Sequence, residues 1–143
     1  MIIEISTQNA LPLYEQLRDQ VVLGIAAKKL APAEALPSVR SLAADLGINF
    51  HTVNKAYAML CEEGYIAMDR RKGAVIAQPA AGGEAFLPKL LHKLTLAAAE
   101  AVCRGMSEQD YLALCAGSFR NAIGGSDGSA IGGSGGSANG GIV

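Results

Sequence analysis

A chain of 143 residues, half of them hydrophobic, suits one domain, or one small domain with an appendage, and has enough apolar content for a packed core. Its net charge of −1, from 12 basic and 13 acidic residues, excludes the bulk positive excess of charge-driven nucleic-acid binders. Residues 1–78 are balanced too, with eight basic side chains (Arg18, Lys28, Lys29, Arg40, Lys55, Arg70, Arg71, Lys72) and eight acidic, so any electrostatic footprint there must come from placement.

In chain order, Ile2 to Ser6 is a short strand candidate, with Ile3 and Ile5 alternating around Glu4. Pro12 opens a helix at its first turn, where a missing N–H does no harm. Tyr14, Leu17, Val21 and Ile25 lie on one face of it, and Lys28 and Lys29 stand where a helix C-terminus favours cations. Ala31 to Pro37 holds two prolines and is expected as a loop.

Leu36 to Ile66 predicts two short helices about a tight turn. Ser38 is a good N-cap, although Ser41 rather than Glu stands three residues on. Val39, Leu42, Ala43 and Leu46 recur at helical spacing, and Gly47 stops that helix. Val53, Ala56, Tyr57 and Leu60 form the stripe of the next one, closed by Gly64. Opposite the stripe stand Asn49, His51, Thr52, Asn54 and Lys55, short or hydrogen-bonding groups that suit a DNA major groove.

The period then changes from helical to extended. Tyr65 to Met68, the turn Asp69 to Gly73, and Ala74 to Ala77 predict a two-stranded hairpin, with Gly73 able to take positive φ. A hairpin directly behind a helix-turn-helix is the pattern of a winged helix. Its tip places Arg70, Arg71 and Lys72 beside a duplex backbone; the plainer alternative is that these charges are simply solvated.

Small residues from Pro79 to Gly83 mark a linker. Leu87, Leu90, Leu91, Leu94, Ala98, Ala101 and Val102 keep helical spacing up to Gly105. Ser107, with Asp110 three residues on, caps a last helix whose stripe is Tyr111, Leu112, Cys115 and Phe119. About 35 residues cannot enclose a metabolite-sized pocket with its own core, whereas two such helices can bury their faces against a second copy, the alternative being the first domain. From Gly124 the chain is rich in Gly and Ser and reads as a flexible tail.

The expected fold class is mainly α with a small β wing: an N-terminal winged helix-turn-helix domain and a short C-terminal helical dimerisation arm. Its segments are 1–78 for the DNA-binding domain, 79–85 for the linker, 86–121 for the dimerisation module and 122–143 for the tail. The arm's expected dimer contacts are Leu87, Leu90, Leu91, Leu94, Ala98, Tyr111, Leu112 and Cys115.

The motifs PLYEQLRDQV from Pro12, LPSVRSLAADLGI from Leu36, TVNKAYAMLCEEGYI from Thr52 and the RRKG turn from Arg70 resemble the GntR family of winged-helix transcription regulators. The short helical C-terminal part resembles its YtrA-like subfamily. The resemblance implies that Arg40, in the LPSxR motif that begins with Ser38 among its polar residues, contacts DNA. It implies the same for the head of the recognition helix, Asn49, Phe50, His51, Thr52 and Asn54, with phosphate contact from Thr52 and Lys55 and close approach of the wing at Arg70, Arg71, Lys72 and Gly73. Many subfamily members carry Pro and Asn where this chain has Phe50 and His51, which leaves the base preference open. For Phe50 two readings stand side by side, a DNA contact and a hydrophobic staple for the helix. Tyr57 and Tyr65 read as packing residues.

The expected function is a cytoplasmic, bacterial, homodimeric regulator, a repressor of a pseudo-palindromic operator, with control of a neighbouring transport operon implied by the resemblance. Partners are the double-stranded operator, a second copy and a small-molecule effector of unknown identity. Two alternatives belong to other classes: a winged helix serving protein or RNA contact, and a sensor whose intersubunit pocket surrounds His92, Cys103 or Cys115. No enzyme motif is present in the part expected to fold. Cys61, Cys103 and Cys115 have no metal spacing and read as buried or incidental thiols, so no metal or cofactor is expected. No apolar run approaches the ~20 residues that cross a bilayer.

Overall fold

The computed structural model describes residues 3–79 and 84–124. The chain divides into two units, Met1–Ala80 and Ala81–Val143. The expected tail beyond Gly124, most of the linker, and Ile2 lie outside the described residues.

In the first unit Pro12 caps α1 (Leu13–Ala26), its carbonyl accepting from the amides of Glu15 and Gln16. Leu17 and Val21 on its inner face are fully buried. The helix ends before Lys28 and Lys29, so these cations fall beyond its last turn instead of within it. The reason is local: Lys28 takes φ +59°, the amides of Lys29 and Leu30 return to the Gly24 carbonyl, and Leu30 drops into the core.

The α2 helix (Val39–Leu46) begins at Ser38, whose Oγ accepts from the Ser41 amide at 3.1 Å. Gly47, at φ +66°, reverses the chain, and Asn49 caps α3 (Phe50–Glu63). Packing against α1, α2 and the hairpin, α3 buries Val53, Ala56, Tyr57 and Leu60. The hairpin is β1 (Ile66–Asp69) and β2 (Gly73–Ile76), antiparallel, with Ile66 opposite Ile76 and Asp69 opposite Gly73. Ile66, Ala74 and Ile76 complete the core. This is a winged helix.

Two expectations for this unit are corrected. Ile3 to Ser6 pairs with no strand, although Ile3 and Ile5 keep their alternation as half-buried residues. The buried Gln16 amide takes the place of a partner strand: Ser6 N–H donates to Oε1 at 2.9 Å, and Nε2 donates to the Ser6 and Leu11 carbonyls at 2.9 and 2.8 Å. The second correction concerns Ala31 to Pro37, which is more than a loop. Between its prolines the amides of Ala33 and Leu36 are free to donate, and they reach the Ile76 and Ala74 carbonyls while Ala35 bridges Val75. The hairpin therefore gains a third rail along β2.

The second unit holds α4 (Phe86–Cys103) and α5 (Glu108–Ala122). Pro88 lies in the first turn of α4, where it costs no helical hydrogen bond. Ser107 Oγ caps α5 by accepting from the Asp110 amide at 3.1 Å, and the Tyr111 hydroxyl donates to the Leu94 carbonyl at 3.2 Å. Neither helix contains a buried residue.

Candidate nucleic-acid interface

The interface expected from the sequence begins with the two caps, because they fix the chain direction on either side of Gly47. Ser38 is spent on its own helix, and so is Asn49, whose carboxamide oxygen accepts from the His51 amide at 2.7 Å. Both side chains remain exposed, but one acceptor of each is already engaged. The sequence placed Asn49 on the outward face of the recognition helix; its position just ahead of the first helical residue was the available signal for a cap.

Arg40 and Phe50 come together across the turn. The guanidinium carbon of Arg40 lies 5.4 Å from the Phe50 ring centroid, and the His51 ring meets Phe50 edge-on at 5.7 Å. Arg40 and Phe50 line an open cleft with Ala43, Ala44, Gly47 and Ile48. Phe50 is the first residue of α3 and remains 39% exposed, so it does not staple the helix from outside its N-terminus.

Farther along α3, His51 and Asn54 are exposed and Thr52 is half-buried. Lys55 turns toward α1, its ammonium 3.8 Å from the centroid of the Tyr14 ring. Tyr14 is a residue that sequence reasoning assigned to packing alone. No local spacing could have exposed this contact, since it joins two helices distant in the chain.

Arg70, Arg71 and Lys72 form a separate exposed cluster on the hairpin turn. Their backbone is ordered by Asp69, whose Oδ1 accepts from the amides of Arg71 and Lys72 at 2.7 and 2.9 Å. Those two hydrogen bonds hold the carboxyl below its usual range. Gly73 takes φ +74°, and the space a Cβ would fill is open, so a second surface could approach the backbone there.

Behind the interface the groups are structural. The buried Tyr57 hydroxyl donates to the Pro37 carbonyl at 2.7 Å, and burial pushes its pKa up to about 12. Tyr65 is half-buried, with the Arg18 guanidinium 5.6 Å from its ring. Burial likewise pushes the half-buried Cys61 thiol up, which disfavours its thiolate. Cys103 is exposed, not buried, and Cys115 is half-buried.

Residues 13–76 match the family described as bacterial regulatory proteins, gntR family. The uncharacterized HTH-type transcriptional regulator YhcF of Bacillus subtilis (strain 168) is 31% identical over 101 residues, 71% of this chain and 80% of that one. The chain belongs to the GntR family.

Other GntR relatives include the HTH-type transcriptional repressor YtrA of the same organism. It is 37% identical over 79 residues, which cover 55% of this chain and 61% of YtrA. Among solved structures, a transcriptional antiterminator from Listeria monocytogenes EGD-e superposes with a TM-score of 0.81 at 27% identity, covering 87% of this chain and 95% of that one. No helix among the described residues is long and apolar enough to cross a membrane.

Proposed function

We propose that this GntR-family protein is a sequence-specific DNA-binding transcription regulator, acting in the cytoplasm of a bacterium as a homodimeric repressor without enzymatic activity. The observation that carries the reading is the pairing of Arg40 with the head of α3, beside exposed His51 and Asn54 and a wing tip bearing three cations. The recognition helix enters a major groove by its N-terminal end, Arg40 grips a phosphate or a guanine edge, and Arg70, Arg71 and Lys72 contact the flanking backbone. Thr52 and Lys55 supply further phosphate contacts, the latter by leaving its seat on Tyr14. The names of YhcF and YtrA support regulation of transcription, and that of YtrA supports repression.

Two copies joined through α4 and α5 present two recognition helices, so the operator is a pseudo-palindrome with half-sites about one helical turn apart. The exposed Leu87, Leu90, Leu91, Leu94 and Leu112 supply the apolar face for that joint, with Ala98, Tyr111 and Cys115 half-buried beside them. Repression follows from occluding the promoter, and a neighbouring transport operon is the target the family resemblance favours. The test is selection of bound fragments from the source genome, with the protein's mass in solution measured alongside. One palindromic site upstream of an operon, bound by a dimer, is the expected result. A well-folded protein that enriches no duplex sequence overturns it.

A second reading, contact with RNA, is favoured by the name of the Listeria neighbour. Single-stranded RNA that displaces the selected duplex at equal concentration would shift the conclusion to it.

A further inference from the structure

An arginine that must meet a planar acceptor binds better when its fork is held in place before the ligand arrives. Arg40 is exposed in the first turn of α2, and among the described residues both ion pairs belong to Arg18 instead. The other residues that line its cleft are Ala43, Ala44, Gly47, Ile48 and Phe50, none of which offers a polar side chain. What it does have is an aromatic ring at 5.4 Å, within the ~6 Å over which a cation is drawn to a π face. That attraction uses the charge of the guanidinium and leaves its N–H donors free. The ring itself is set by its place as the first residue of α3, by the Asn49 cap before it and by its T-shaped contact with the His51 ring at 5.7 Å.

We propose that Phe50 is a positioning residue for Arg40: its ring holds the guanidinium at the head of the recognition helix and makes no base contact of its own. The inference rests on the DNA-binding reading above. It also accounts for a large apolar side chain left 39% exposed at the head of α3. An aromatic residue at position 50 becomes part of how this chain chooses its operator, through the arginine it presents.

The experiment compares the full-length wild type with F50A, F50L, F50Y, R40A and the double variant R40A/F50A, on the selected operator and on singly substituted versions of it. Leucine keeps apolar bulk and helix propensity but has no π face. F50L and F50A are expected to bind about two- to fivefold more weakly, the range of an exposed cation–π contact, while F50Y binds as wild type. R40A/F50A should be no weaker than R40A, and the F50L profile across substituted operators should parallel that of R40A. In the free protein, the Arg40 δ-methylene protons should resonate upfield through the ring current and return to ordinary positions in F50L.

Losses that add in the double variant overturn the proposal. So does a base preference that F50L relaxes and R40A leaves intact, because Phe50 would then read a base itself. Unshifted Arg40 protons in the free wild type overturn it as well. Failure of the DNA reading is distinguishable from all of these, because it removes binding from wild type and F50L alike.

Discussion

Tyr57 ties the recognition helix to the strap that precedes α2. Its hydroxyl donates to the Pro37 carbonyl at 2.7 Å from a buried position, so the hydrogen bond is sheltered from water. Tyr57→Phe is expected to lower stability by about 1 kcal/mol, the usual net value of one such bond, read as a lower urea midpoint at unchanged slope. The pH dependence has a definite sign. Burial raises the phenol to about 12 from an unfolded value of 10.0, so the fold prefers the neutral form. That stability is complete below pH 10 and is lost as pH rises toward 12, and the Phe variant should lack this alkaline loss. An unchanged urea midpoint at neutral pH would remove the role assigned to the bond. Tyr57 was legible as core from its place on the stripe Val53, Ala56, Tyr57 and Leu60, but its hydroxyl partner was not. Periodicity tells which face is buried, not what a polar tip meets once there. The same limit hid Lys55 on Tyr14 and the 3.0 Å bond from Arg18 to Glu63, contacts between helices that only the packed fold brings together.

At the scale of elements, the helices were legible because their apolar stripes, Pro12, Ser38, Gly47 and Gly64 each mark a boundary for a steric or hydrogen-bonding reason. The end of α1 escaped because the chain breaks where Leu30 needs to reach the core, ahead of the lysines that suit a helix terminus. The unpaired Ile3 to Ser6 segment escaped because a glutamine on α1, not a strand, satisfies its backbone. Gln16→Ala should therefore release that segment. The expected outcome is about 1–2 kcal/mol of lower stability and faster hydrogen exchange at the Ser6 amide; unaltered exchange there would mean that the clasp holds nothing. The wing was legible as strand, charged turn, strand, within one residue at its boundaries. On the proposed reading its cations meet phosphates through screened, sequence-independent contacts, so Arg71→Ala with Lys72→Ala should weaken binding to every duplex and flatten the salt slope by about 1 for each phosphate no longer neutralised. A weakening confined to the operator would assign the wing to base reading instead.

At the scale of the whole molecule, the charge balance excludes bulk attraction to nucleic acid, while three of the twelve cations stand together on one hairpin turn. The second unit poses a different problem. Leu87 is 60% exposed, Leu91 65% and Phe119 70%, and no residue of α4 or α5 is buried. Amphipathic spacing made these helices legible, whereas their partner is not written in spacing at all. If a second copy covers them, Leu91→Asp should halve the mass in ultracentrifugation and weaken binding to the full operator much more than to one half-site. A dimer that persists in Leu91→Asp would place the joint elsewhere.

The lack of a buried core in α4 and α5 has a consequence for how such a regulator responds to its own abundance. Helices without a buried residue are marginal in water, so on the homodimeric reading proposed above, ordering the arm and joining two chains become one equilibrium, governed by concentration. Dilution would then cost the proposed dimer its joint and its arm together, and α-helical circular dichroism of the wild type should fall across the same range in which its mass halves. On the same reading, a chain below that range would meet the operator with a single recognition helix, and a pair above it with two. The onset of repression would be steep in protein concentration, a threshold set by hydrophobic surface with no ligand required.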